Sequence, residues 1–148
     1  MERNYVFYHK TDLEHYTAEA FTVRCVDDRF WKAFKYFLRA ENIKRIDPKS
    51  PAGGAKIFSS PEKEGDRDFM LREIETSIKL HGVKRAMLFT HHDCGAYGGF
   101  KRFNENPEEE YQFHVSEHHK AREVIRERFP DLSVDTYFID EKGIVHTS

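Results

Sequence analysis

Two short segments hold most of the side chains able to do chemistry. The first is Cys25-Val26-Asp27-Asp28-Arg29, which offers a thiol, a carboxylate and a guanidinium at every second position. In an extended chain that spacing turns Cys25, Asp27 and Arg29 to one side. The second is His91-His92-Asp93-Cys94-Gly95, where a turn after a strand can bring His91 and Cys94 onto one ion while Gly95 relieves backbone crowding. Together Cys25, His91 and Cys94 make a donor set of two thiolates and one imidazole. A fourth Cys or His would close such a set into a structural zinc site, whereas three donors with one open position are what a catalytic Zn²⁺ requires. Asp27 is the obvious occasional fourth ligand, and Arg29 is placed to hold it off the ion. Two thiolates and a neutral imidazole offset the charge of Zn²⁺, so a bound water loses its proton less readily than at a three-histidine site.

These residues have other uses. Cys25 and Cys94 can be small buried hydrophobes or a disulfide, but neither role accounts for Asp27, Arg29 and His91 beside them. Asp27 and Arg29 can be a plain ion pair at a strand end. His92 competes with His91 as a ligand. His114 and His118 stand four apart and can chelate, yet nine histidines in 148 residues produce such pairs by chance. They are assigned, with His119, to a solvated helix face. Gly53-Gly54 and Gly98-Gly99 lack the lysine and helix cap of a phosphate-binding loop.

The elements that must position the two segments follow from periodicity. Residues 21–26 alternate and favour a strand, and Trp31, Phe34, Phe37 and Leu38 then recur at helical spacing. A short strand is predicted over 43–46 and an irregular loop over 47–54, which contains Pro48, Pro51 and Gly53-Gly54. Asp66 is a candidate cap for a helix carrying Met70, Leu71, Ile74 and Ile78 and ending at Gly82. Residues 83–90 contain the apolar run Ala86-Met87-Leu88-Phe89, which suits a central parallel strand covered on both faces. Asn106-Pro107-Glu108-Glu109 reads as a helix start, with the run Glu108-Glu109-Glu110 on its dipole and otherwise solvated. That helix presents Tyr111, Val115, His118, Ala121, Val124, Ile125 and Phe129 as its inner stripe and ends at Pro130. A last strand spans 134–139, and Glu141-Lys142-Gly143 turns into a short tail. Alternating strands and helices predict an α/β fold, a mainly parallel central sheet flanked by helices, in which both motifs fall at the carboxyl ends of strands.

The composition narrows the function. A length of 148 residues suits a single domain, 1–148, and 14% aromatic residues argue against disorder. Lys and Arg number 24 against 26 Asp and Glu, so nothing electrostatic favours nucleic acid or an acidic membrane. No apolar run approaches a membrane span and the first residues lack a signal-peptide layout, so the expected location is cytoplasmic.

At these residues the sequence resembles the β-class carbonic anhydrases. Cys-x-Asp-x-Arg after the first strand and His-x-x-Cys-Gly after a later central strand, in that order, carry the resemblance over residues 21–100. Ser50-Pro51 stands where that family commonly has Arg-Asn, just before Ala52-Gly53. The resemblance implies that Cys25, His91 and Cys94 bind zinc and that Asp27 with Arg29 forms a catalytic dyad. It implies reversible hydration of carbon dioxide to bicarbonate by a zinc-activated hydroxide, with carbon disulfide or carbonyl sulfide hydrolysis as a related alternative. A non-catalytic zinc-binding regulatory protein of the same fold is the alternative from another class. It further implies an N-terminal arm reduced to residues 1–16 and a homodimer or higher homo-oligomer, to which 13 Phe and 7 Tyr would contribute interface.

Overall fold

The computed structural model describes residues 2–148. The apolar run lies in β3 (Arg85–His91), whose residues from Ala86 onward are all buried. β1 (Ala20–Val23) and β4 (Ser133–Ile139) flank it in parallel, and β2 (Ile46–Lys49) runs parallel beyond β1. β5 (Ile144–His146) closes the other edge antiparallel, giving the order β2-β1-β3-β4-β5. The helices are α1 (Trp31–Ala40), α2 (Lys56–Ser59), α3 (Glu64–His81) and α4 (Pro107–Arg128). This is the mainly parallel α/β arrangement that the sequence predicts.

Alternation along β3 splits the core in two. Ala86 and Leu88 pack with Phe21, Val23, Phe58, Ile74 and Ile125, on the face that α2, α3 and α4 cover. Met87 and Phe89 point the other way and pack with Phe34 and Leu38 of α1 and with Tyr137 and Ile139. With both faces covered, the strands present their carboxyl ends as the accessible edge.

Several elements depart from expectation. β1 ends at Val23, although Arg24 N–H still donates to Lys49 O at 3.0 Å, and the chain bends only at Val26. β2 occupies 46–49 instead of 43–46 and includes Pro48, which an edge strand tolerates because its missing N–H removes no ladder bond. α3 starts at Glu64, so Asp66 lies inside the first turn and is not the cap. α2 and β5, of four and three residues, are too short to leave a periodic signal. Asn106 does cap α4: its side chain accepts from the N–H groups of Glu108 and Glu109, with Pro107 opening the helix. Residues 2–18 form no helix or strand, and Tyr5, Val6, Phe7, Tyr8 and Leu13 are exposed there. Tyr16 fastens that stretch by donating to Asp47 Oδ1 at 2.7 Å and stacking on His81.

Candidate metal centre

Because β1 and β3 are adjacent and parallel, the residues that follow them meet at one end of the sheet. Cys25 comes two residues after β1, His91 ends β3, and Cys94 lies three residues further on. All three are buried, and one donor atom from each lies within 4.8 Å of the others. The two sulfurs are 4.0 Å apart. His91 Nδ1 pairs with its neighbour's carbonyl, His92 O, at 2.7 Å, so Nδ1 carries the proton and Nε2 is left with its lone pair. Nε2 is buried and has no hydrogen-bond partner. A buried acceptor left unpaired costs free energy unless something else engages it, and a metal ion held between Nε2 and the two sulfurs would do so.

A tight loop backs the cluster. Gly53 N–H donates to Cys25 Sγ at 3.2 Å, and Ala55 N–H donates to Phe89 O at 3.1 Å. Between them Gly54 has φ +57°, and a Cβ there would lie 2.1 Å from Phe89 O, so only glycine fits. The altered pair Ser50-Pro51 precedes this contact without interrupting it. Gly95, by contrast, has open space and an ordinary φ; the turn is shaped by Asp93 at φ +56° and by Gly98 and Gly99.

Asp27 and Arg29 meet by a route other than strand alternation. Asp27 caps a 3-10 turn over Asp28–Phe30, its Oδ1 accepting from Arg29 N–H at 2.9 Å. The turn folds the guanidinium back onto the carboxylate: Nη2 donates to Oδ2 at 2.7 Å and Nε lies 3.1 Å from both oxygens. Asp27 Oδ2 stands 3.7 Å from His91 Nε2, at the edge of the donor cluster. Arg29 also reaches the second motif, through Asp93 Oδ2 at 3.2 Å and Asp93 O at 3.1 Å.

The electrostatics call for a cation. Hydrogen bonding from Arg29 holds the Asp27 carboxyl down at about 2, below the usual range, so it is an anion at neutral pH. The Cys25 thiol is pulled low, chiefly by its contact with the Cys94 sulfur, with the Gly53 N–H adding to the effect against burial. Cys94, facing that charge, is pushed up by the Cys25 contact and then by burial. Two adjacent sulfurs therefore cannot both ionise unaided, and a divalent ion would be a partner that lets them.

α4 supplies side chains that the sequence assigned elsewhere. Its buried face carries Glu110, His114, Glu117, His118, Ala121 and Ile125. Glu110 is not a solvated member of the acidic run: its carboxylate pairs with His92 Nδ1 at 2.7 Å and accepts from Asp93 N–H at 2.9 Å. His92 is thereby committed to Glu110 and is absent from the donor cluster. Glu117 accepts from Ser59, Tyr97 and Ser60, and the Tyr97 ring packs against Cys25 and Cys94. His118 pairs with Thr90 and Thr147, whereas His114 is wholly buried among Tyr97, Phe103, Phe113 and Phe138 with neither nitrogen partnered. Of the three histidines assigned to a solvated face only His119 is exposed, and His118 takes the buried place that its position in the helical stripe gives it. Helical spacing alone marks this stripe, but only for a reader prepared to bury polar residues.

A mainly parallel sheet with a Cys-His-Cys cluster at the carboxyl ends of two neighbouring strands defines a β-carbonic-anhydrase-like protein. The solved structures it resembles agree. The β-carbonic anhydrase isoform I of Trichomonas vaginalis superposes with TM-score 0.62 at 15% identity, covering 94% of this chain and 87% of that one. A carbonic anhydrase of Streptococcus mutans gives 0.57 at 15% identity over 95% and 89%. One of the tetrameric β-carbonic anhydrases of Sordaria macrospora gives 0.58 at 15% identity over 88% and 81%. The chain belongs to the family described as "Putative carbonic anhydrase", whose model matches residues 16–147. Among curated proteins, an uncharacterized protein of Rickettsia conorii is 36% identical over 75 residues, which span 49% of this chain and 40% of that protein. An uncharacterized protein of Rickettsia bellii is 26% identical over 86% of this chain and 80% of its own length. Among the described residues, no helix is long and apolar enough to cross a membrane.

Proposed function

We propose that this chain is a zinc enzyme that converts carbon dioxide and water reversibly to bicarbonate and a proton. The observation that carries the reading is the convergence of Cys25, His91 and Cys94 with an unpaired His91 Nε2, beside a carboxylate already clamped by an arginine. Cys25, His91 and Cys94 would hold the zinc, which when bound would supply Lewis-acid activation of a water molecule. His91 is fixed by His92 O so that Nε2 is the donor atom. Gly53 N–H stabilises the charge on Cys25. Arg29 grips Asp27 through parallel hydrogen bonds, which keeps the carboxylate from taking the open position. Asp27 then accepts a hydrogen bond from the attacking water, and the guanidinium edge orients the product bicarbonate.

On this reading residues 1–148 form one domain with an N-terminal arm over 1–16. The protein acts as a homodimer or larger homo-oligomer, which the exposed Tyr5, Val6, Phe7 and Tyr8 of the arm favour. Two free cysteines at the centre suit the reducing cytoplasm. The test is carbon dioxide hydration by zinc-loaded protein, with carbonyl sulfide assayed alongside. Activity with carbon dioxide that disappears in Cys94→Ser supports the reading, and a zinc-loaded protein inert toward carbon dioxide overturns it.

A further inference from the structure

Glu108 and Glu109 face solvent, but Glu110 is only 2% exposed. A carboxylate is buried at that depth only when its oxygens are fully engaged. Both oxygens of Glu110 go to the turn after β3: Oε1 to His92 Nδ1 and Oε2 to Asp93 N–H. The two residues it holds are the ones that reach the metal centre from behind. The His92 carbonyl takes His91 Nδ1, which sets the tautomer and tilt of the imidazole. Asp93 takes Arg29 through a side-chain oxygen and its backbone carbonyl, which sets the guanidinium against Asp27. Asp93 adopts φ +56°, a left-handed conformation that aspartate tolerates better than most residues, and this aims its N–H at Glu110. The other hydrogen bonds of these two residues are His92 N–H to Ile139 O and Phe100 N–H to Asp93 Oδ1. Neither reaches the Asp93 N–H, and the Phe100 ring, edge-on to the His92 ring at 4.6 Å, packs that ring without engaging its Nδ1.

We propose that Glu110 is a positioning residue of the metal centre: from α4 it locks the His92-Asp93 turn and so aims the His91 ring at the ion and holds Arg29 on Asp27. This rests on Cys25, His91 and Cys94 being the ligands, but not on the reaction they serve. The direct outer partner of His91 is the His92 carbonyl, which Glu110 holds in place, and loosening such a partner lowers metal affinity by about 10- to 100-fold.

The experiment measures zinc affinity by competition with a chromophoric chelator, and the absorption bands of the cobalt-substituted protein, in wild type, Glu110→Ala, Glu110→Gln, Glu110→Asp and Ile125→Ala. Glu110→Ala should lose about 10- to 100-fold in affinity and shift the cobalt bands. Glu110→Gln should restore both, because its carbonyl accepts from Asp93 N–H and its amide donates to the other tautomer of His92. Glu110→Asp keeps the charge but is too short to span both partners, and should resemble the alanine variant. Ile125→Ala opens the core at the far end of α4 without touching the turn, and should leave affinity and spectrum unchanged. Wild-type affinity and spectrum in Glu110→Ala, or a loss matched by Ile125→Ala, overturns the proposal. If Glu110→Ala does not fold, retention of affinity by Asp together with loss in Gln overturns it, since charge and not span would then matter. A wild-type protein that binds no zinc overturns this proposal together with the metal centre, whereas one that binds zinc without hydrating carbon dioxide overturns the proposed reaction and leaves the affinity comparison decisive.

Discussion

Lowering the pH from 7 to 5 should destabilise this protein through two buried imidazoles. Burial holds the His114 pKa down to about 3 and that of His118 to about 4, against an ordinary 6.5. Both rings are therefore neutral in the fold, while the unfolded chain takes up their protons below about pH 6.5. The stability they allow is complete above that value and falls as the pH drops, until the folded rings themselves protonate near 4 and 3. Each pH unit costs about 1.4 kcal/mol per ring. Between pH 7 and 5 the loss is about 2 kcal/mol for each ring and about 4 kcal/mol for the pair. That is a large share of the roughly 5–15 kcal/mol that holds a protein folded, and corresponds to a fall in Tm of about 8–16 °C at this chain length. His91, whose pKa is raised by Cys25 and its other neighbours against the effect of burial, works in the opposite direction when no metal is bound. The informative comparison is therefore wild type against His114→Leu, in which the share of His91 cancels. The leucine fills a similar volume among Tyr97, Phe103, Phe113 and Phe138 and abandons no hydrogen bond, since neither nitrogen of His114 has a partner. Urea unfolding at both pH values should show the variant at least as stable as wild type at pH 7, and its loss on going to pH 5 smaller than the wild-type loss by about 2 kcal/mol. Equal losses in the two proteins would refute the reasoning.

Metal analysis should find one zinc per chain in wild type and in His92→Ala, and none retained in Cys25→Ser, His91→Ala or Cys94→Ser, because each of the latter removes one of three ligands. Arg29→Ala should keep its zinc and lose about 100-fold in carbon dioxide hydration, because Asp27 is freed from its clamp; a wild-type rate would reduce the pair to a surface ion pair. Gly54→Ala should cost about 3 kcal/mol or more in chemical denaturation, since its Cβ meets a backbone carbonyl that cannot move aside, and an unchanged midpoint would contradict the contact.

The sequence made the meeting of Cys25, His91 and Cys94 legible because all three lie at or within three residues of strand ends, and the hydrophobic patterns of β1 and β3 locate those ends. It made the pairing of Asp27 with Arg29 legible as well, but through the wrong geometry. An aspartate that caps its own turn brings Arg29 back, and such a cap leaves no periodic trace. Pro48 misled because a proline excludes only central strands, and edge position is a property of topology, not of local sequence. The inner face of α4 was hidden for a different reason. Glu110, His114, Glu117 and His118 are spaced as a buried stripe, yet hydropathy assigns them to water. Three of them are buried because partners remote in sequence, among them His92, Ser59, Tyr97, Thr90 and Thr147, satisfy them. The fourth, His114, is buried without a partner, and nothing in the sequence marks it.

The central claim is that this Cys-His-Cys centre hydrates carbon dioxide. Stopped-flow measurement of carbon dioxide hydration by the zinc-loaded chain, from pH 6.5 to 9, beside Cys94→Ser at the same concentration, tests it most directly. The account predicts a rate well above buffer for the wild type and none for the variant; one zinc per chain with no rate above buffer at any pH would contradict it.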